Sequence, residues 1–336
     1  MNKAIPSVLY KYKTFSINSL DSLINDTVYL ADPVSFNDPF DCQPSVVDDL
    51  KDIDVLRDIA TELMLDTQSR DFVSSRNEVM KFIEYQYFAK NPIAIEDYDD
   101  DMFISEFEQL TQYKKSEYQY FQESEKKFLL DDIYTDLRLM EDCSETDSDR
   151  TPDIEMYNTL INKELVKSRN KGVLSLAKNP DCPLMWAHYA DDHQGFCCGY
   201  RLPGEPEVFA NKNNIKAVDY EGERKVLTSE LYQLVQNLEN IKSTVDDTIF
   251  YVKAENWKYE HEYRMIGKPG LRKSPFILES IYFGLRCKDS VKFSIMSALA
   301  NRDSTVQFYQ MKEVKGTFDL KPEPITLTDL TRLPRN

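Results

Sequence analysis

The run Glu260-His261-Glu262-Tyr263-Arg264 carries the residue types best suited to chemistry. Read as a strand, it puts Glu260, Glu262 and Arg264 on one face, with Tyr259, His261, Tyr263 and Met265 on the other. Arg264 beside Glu262 keeps that carboxylate ionised, which suits a group that stabilises positive charge. The same spacing, with Lys258 added, also describes a salt-laced solvent face over an aromatic core. All three histidines and both tryptophans fall between Trp186 and His261. On a helix read from Pro183 to Asp191, His188 has Asp192 four residues on, a pair able to orient a substrate or move a proton. The alternative is a half-buried histidine with its bonds satisfied.

Other combinations are weaker. Asp38, Asp41, His188, Asp191, Asp192 and His193 could supply oxygen and nitrogen to a metal, although no HExxH or DxDxDG spacing is present. Asn and Asp in the run FNDPFD, Phe36 to Asp41, also suit side-chain bonds that knit a loop. Cys197 and Cys198 sit in a strand and point to opposite faces; a thiol nucleophile would need His193, and buried structural cysteines are commoner. No GxSxG elbow supports a serine nucleophile.

These residues need elements to hold them. Residues 7–13 read as a first strand, with Leu9, Lys11 and Lys13 on one face and Tyr10 and Tyr12 on the other. A short helix from Ser16 to Leu23 and a strand at Val28 to Leu30 follow. Gly172 to Leu176, Gly195 to Arg201, Ile215 to Tyr220, Lys258 to Ile266, Glu279 to Leu285 and Thr305 to Lys312 also read as strands. Residues 229–255 and Ser290 to Ala300 read as helices. The expectation is an α+β core with a split, mostly antiparallel sheet, formed by residues 1–44 and 169–336. Residues 45–168 form an all-helical acidic insertion, on the repeats Leu50/Val55/Ile59/Leu63, Val79/Phe82/Ile83/Phe88 and Phe128/Leu129/Ile133/Leu137/Met140. No internal repeat is apparent.

Composition narrows the function. Apolar residues make up 41% and charged residues 29% of 336, the balance of a globular protein. No uncharged stretch approaches a membrane span, and the first residues lack the apolar run of a secretory leader. Six cysteines without CxxC spacing suit a reduced, cytoplasmic protein. The nine glycines all follow residue 171, and none builds a Walker A loop or a GxGxxG fingerprint. Between Ser45 and Ser168 lie 31 acidic and 14 basic residues, so that segment holds the chain's whole net charge of −17. It repels a phosphate backbone and is expected either to be solvated or to face a basic partner.

In order along the chain, LYKY (Leu9 to Tyr12), FNDPFD, MWAHYADDHQGF (Met185 to Phe196), WKYEHEYR (Trp257 to Arg264) and ESIYFG (Glu279 to Gly284) resemble the bacterial domain-of-unknown-function family numbered 2971. That resemblance spans the core and leaves the insert outside. A second one, to ADP-ribosyltransferases, rests on the tyrosine-bearing first strand, the short Leu-rich helix, the following strand and Glu260-His261-Glu262. It departs from those enzymes in having Lys11 where Arg or His is usual, and no Ser-Thr-Ser triplet follows.

It implies an ADP-ribosyltransferase-like fold, NAD as substrate and an acceptor macromolecule of unknown identity. Glu262 would be the catalytic carboxylate, with Glu260 and His188 beside it. Tyr10, Lys11, Tyr12, Tyr189 and Arg264 would meet NAD. Breaking the nicotinamide–ribose bond creates an oxocarbenium-like sugar, which a carboxylate stabilises while flat rings hold nicotinamide. The resemblance further implies a role in bacterial defence or toxicity, with the insert covering the site or docking a regulatory protein. The competing readings are a non-enzymatic interaction module and a metal-dependent nuclease built on Asp38, Asp41 and His188.

Overall fold

The computed structural model describes residues 4–65, 73, 152–167, 171–302 and 304–331. Contacts group the chain into two units. The first comprises Met1–Cys42, Asn170–Glu223 and Asp247–Asn336, and the second Gln43–Arg169 and Arg224–Asp246. The segment 224–246, read from sequence as part of the core, thus groups with the second unit.

The first unit is a mixed α/β structure around a large sheet. Its strands are β1 (Val8–Lys13), β4 (Gly172–Ala177), β5 (Phe196–Arg201), β6 (Ile215–Ala217), β8 (Glu262–Gly267), β10 (Ile277–Phe283), β11 (Gln307–Glu313) and β12 (Leu320–Pro324). They lie in the order β12-β11-β10-β5-β1-β4-β8-β6. Every neighbouring pair is antiparallel except β10 and β11. That parallel pair needs a crossover, which the helix Asp289–Ala298 supplies. Beside the sheet, β2 (Thr27–Leu30) pairs with β9 (Gly270–Lys273).

Alternation along the strands sorts side chains into two cores. Leu9, Leu174, Leu176, Cys198, Tyr200, Tyr263, Met265, Ile281 and Phe283 share one cluster with Leu23 of helix α1 (Ile17–Ile24) and with Ile295 of Asp289–Ala298. Tyr12, Ala177, Cys197 and Tyr282 share the other with Met185 and Trp186, borne on α4 (Pro183–Tyr189). Full burial of each large apolar side chain stabilises by roughly 1.5–3 kcal/mol. Helix α1 begins at a capping box in which the Ser19 amide donates to Ser16 Oγ (3.1 Å) and the Ser16 amide to Ser19 Oγ (2.8 Å).

The centre of the sheet contains a gap. β1 runs in full register with β5, from Val8 opposite Arg201 to Lys13 opposite Phe196, yet meets β4 only at Tyr10 and Ala177. Farther along, β4 bonds to the residue after β2. The Ala31 amide donates to Val173 O (2.9 Å) and the Val173 amide to Ala31 O (2.8 Å). A wedge therefore opens between β1 and β4.

Two expectations need correction here. Lys258 to Ile266 is not one strand. Glu255–Glu260 is a 3-10 turn, His261 takes φ 44° in the left-handed region, and β8 starts only at Glu262. Side-chain anchors on Trp257 and Glu260 hold that turn, and periodicity cannot register them. The salt-laced solvent face fails as well: Glu260, Glu262 and Arg264 are 4%, 4% and 0% exposed.

The helix at 183–191 also ends early, at Tyr189, and Asp191, Asp192 and His193 all have positive φ. Asp192 is thus not a helical i+4 neighbour of His188. The turn returns the chain to β5 through the Gly195 amide, which donates to Ala190 O (2.8 Å). A Cβ on Gly195 would lie 2.3 Å from Lys13 O, and one on Gly284 2.2 Å from His193 O, so only glycine fits at either position.

In the second unit, α2 (Ile53–Leu65), α3 (Pro152–Lys167) and the helix Thr228–Gln236 are described, along with a parallel pair of short strands, β3 (Ser45–Val47) and β7 (Lys225–Leu227). The insert is therefore not all-helical at its start. Leu56, Ile59 and Leu63 form the buried stripe of α2. Asp49 accepts bonds from Thr228 Oγ1 and the Ser229 amide, both 2.9 Å, and so caps the helix that Thr228 begins. The repeats expected at 79–88 and 128–140 lie outside the described residues. Among the described residues no helix is long and apolar enough to cross a membrane.

Candidate functional site

A cavity of about 400 Å³ lies in the first unit, at the wedge between β1 and β4. β1 gives it Tyr10, Lys11 and Tyr12, β4 gives Ser175 to Ala177, and the FNDPFD loop gives Phe36, Asn37 and Asp41. His188 and Tyr189 enter from α4, and Lys253, Glu260 and Glu262 come from the chain leading into β8. The structure thus brings seven of the eight residues singled out from sequence to one cavity. The eighth, Arg264, lies buried against Glu262.

The carboxylates belong to a buried ionic cluster. Arg264 Nε donates to Glu262 Oε1 (2.9 Å), while its Nη2 reaches Glu262 Oε2 (3.0 Å) and Asp41 Oδ2 (2.7 Å). Its Nη1 donates to Phe250 O (2.8 Å). Lys253 Nζ lies 2.6 Å from Glu260 Oε2, 3.2 Å from Glu262 Oε2 and 3.4 Å from Asp41 Oδ2. Tyr189 donates its hydroxyl to Glu260 Oε1 (2.7 Å), and the Glu262 amide donates to the Tyr220 hydroxyl (2.9 Å). Three carboxylates thus share two cations, and Lys11 stands on the same cavity wall.

The two glutamates titrate in opposite directions. Burial, then the like charge of Glu262, raises the Glu260 carboxyl above its ordinary value, against the pull of Lys253. Burial would also raise Glu262, but Arg264 and then Lys253 outweigh it and hold that carboxyl low. A pair of acids pushed apart in this way offers one group held ionised and one that keeps its proton to higher pH than an ordinary carboxyl. Glu262 takes three donors, two from Arg264 and one from Lys253, whereas Glu260 takes one on each oxygen, from Tyr189 and Lys253, and is the less heavily held of the two. Sequence alternation put both on one face and left that choice open.

The tyrosines are fixed by packing. Tyr12 donates to Asn179 O (2.9 Å) and sets its ring edgewise on Trp186 at 5.1 Å. Tyr10 meets Tyr282 edgewise at 5.8 Å. His188 is exposed at the mouth, with the rings of Tyr189, Tyr259 and Trp257 6.3–6.5 Å away. Trp257 Nε1 donates to Asp38 Oδ2 (2.8 Å), and Lys253 Nζ lies 4.9 Å from the centre of the Trp257 ring.

Sequence reasoning missed Lys253, which sat inside a stretch read as helix. Its only local signal is a cation seven residues before Glu260 and nine before Glu262, and that spacing means nothing until the left-handed turn at His261 folds the chain back. Two of the six donors in the metal reading are engaged elsewhere: Asp38 accepts from Trp257, and Asp41 pairs with Arg264 and Lys253. Among the described residues no three His, Cys, Asp or Glu side chains gather as a metal site. Burial pushes the Cys197 thiol well above its ordinary value, the opposite of an activated nucleophile.

Against known proteins, a family model described as a protein of unknown function, DUF2971, matches residues 185–265. That stretch includes MWAHYADDHQGF and WKYEHEYR but not LYKY, FNDPFD or ESIYFG, so the match covers less of the core than those motifs span. No curated protein and no solved structure matches the chain. The chain is thus similar, over residues 185–265, to a family defined without a function.

Proposed function

We propose that this cavity binds NAD and cleaves its nicotinamide–ribose bond, passing ADP-ribose to an acceptor. The observation that carries the reading is the pairing of Glu260 and Glu262 at the base of an aromatic-walled cavity, with their acidities driven apart. Glu262, held ionised by Arg264, supplies negative potential for the positive charge that grows on the ribose as the bond breaks. Glu260, held by Tyr189 and Lys253, takes the proton from the incoming acceptor. Tyr10 and Tyr12 are fixed flat surfaces against which a nicotinamide ring can lie without further ordering cost. His188 stands at the mouth, where an acceptor enters.

The test is calorimetric titration of the whole chain with NAD and, separately, with nicotinamide. Saturable NAD binding, competed by nicotinamide and weakened in Ala177→Leu, supports the reading, because Ala177 lines the cavity beside Tyr10 and Glu262. Absence of NAD binding in a folded protein removes it.

A further inference from the structure

Lys11 is placed unlike any other cation of the first unit described above. Parity along β1 sends its side chain to the face of Leu9 and Lys13, away from Tyr12; β5 pairs it with Cys198 on one side, while the wedge leaves no strand partner on the β4 side. It lines both the main cavity and a second void of about 180 Å³ that continues along the wedge. Ala31, Phe36 and Ser175 line both spaces, so the two adjoin.

Within the structure the half-buried Lys11 amine has no hydrogen bond or ion pair to a described residue, whereas Lys253 touches three carboxylates. Lys13, also half-buried and likewise unpaired among the described residues, lines the second void. Burial, and then the like charge of Lys13, lowers the Lys11 ammonium to about 8 against the pull of Glu262 and Glu260. An amine that gives up its proton more readily than a free lysine, beside a second cation, is a nucleophile. Glu260, which keeps its proton to higher pH than an ordinary carboxyl, faces the same cavity.

We propose that Lys11 is a reactive amine that condenses with a phosphorylated aldehyde or ketone, whose phosphate is held by Lys13 in the second void. The amine nitrogen adds to the carbonyl carbon, and its proton passes to the carbonyl oxygen. The resulting hydroxyl takes a proton from Glu260 and departs as water, and a C=N bond forms. No oxidant or reductant is needed. This chemistry does not depend on the NAD reading.

The experiment treats the whole chain with substoichiometric pyridoxal 5′-phosphate, traps the imine with borohydride and maps labelled lysines by peptide mass spectrometry. The same is done with phosphate-free pyridoxal and with Lys11→Arg and Lys13→Met. The proposal expects label concentrated on Lys11 ahead of the exposed Lys321, and lost in Lys11→Arg. It also expects labelling weakened about tenfold in Lys13→Met and with pyridoxal, the loss of one charge-assisted contact. Label spread over surface lysines alike in wild type and Lys11→Arg overturns the proposal. Equal labelling of Lys11 by both probes overturns the assignment of Lys13. Should Lys11→Arg fail to fold, the wild-type ratio of Lys11 to Lys321 labelling decides alone. Nicotinamide release from NAD is blind to every one of these readings.

Discussion

Arg264 is the residue on which the ionic cluster depends, since it bonds both oxygens of Glu262, one oxygen of Asp41 and a main-chain carbonyl while fully buried. Arg264→Met leaves two buried carboxylates short of a cation, and denaturant unfolding should report a loss of about 3–5 kcal/mol. Glu260→Gln should cost much less, because Lys253 retains Glu262 and Asp41. The acidities give a signed pH prediction. Glu262 is lower in the fold than unfolded, so its contribution is present above the ordinary carboxylate value and disappears as pH falls toward the folded one. Urea midpoints should therefore drop on acidification, and less steeply in Glu262→Gln. Glu260 is shifted upward, so under the proposed mechanism the acid limb of turnover lies above the ordinary glutamate range. Tyr189→Phe removes a bond that favours the ionised carboxylate, and should move that limb higher still. A limb at or below the ordinary glutamate value would exclude Glu260 as the base.

At the scale of elements, the site exists because β1 keeps β5 and leaves β4 after one residue pair. Gly195 fixes that geometry from one end, since its missing Cβ lets the Lys13 carbonyl pass. Gly195→Ala should cost about 1–3 kcal/mol in thermal or chemical unfolding and weaken ligand binding, by pushing β1 off its register with β5. Much of this level was legible in the sequence. Leu9/Tyr12 alternation, the Leu-rich helix at 17–24, the GFCCGYR strand and ESIYFG each carry a period set by burial on one face. What was not legible was set by contacts between distant residues. The turn at Glu255–Glu260 depends on Asp38, Tyr189 and Lys253, all far from it along the chain or hidden in a helical period. The positive φ of His261 and of Asp191 to His193 has no glycine to announce it. The wedge itself has no local signature, because Lys11 and Ser175 suit a paired strand as well as an unpaired one.

Over the whole molecule, charge is divided as sharply as structure: the net −17 lies between residues 45 and 168, and the remainder is neutral. Such a balance gives no grip on a phosphate backbone. Gel-shift assays at low salt should therefore show no retardation of duplex DNA, and a salt-sensitive shift would refute this. The acidic segment fits a basic protein partner, which remains a proposal to be tested by pull-down with the segment supplied in the full chain. The central claim concerns the first unit, and its most direct test is release of nicotinamide from NAD. Purified whole chain, with cell lysate supplied as acceptor, should release nicotinamide, and Glu260→Gln should abolish release while its circular dichroism spectrum stays that of the wild type. Equal release by both proteins would remove Glu260 from the chemistry. No release and no NAD binding by the folded wild type would contradict the account at its centre.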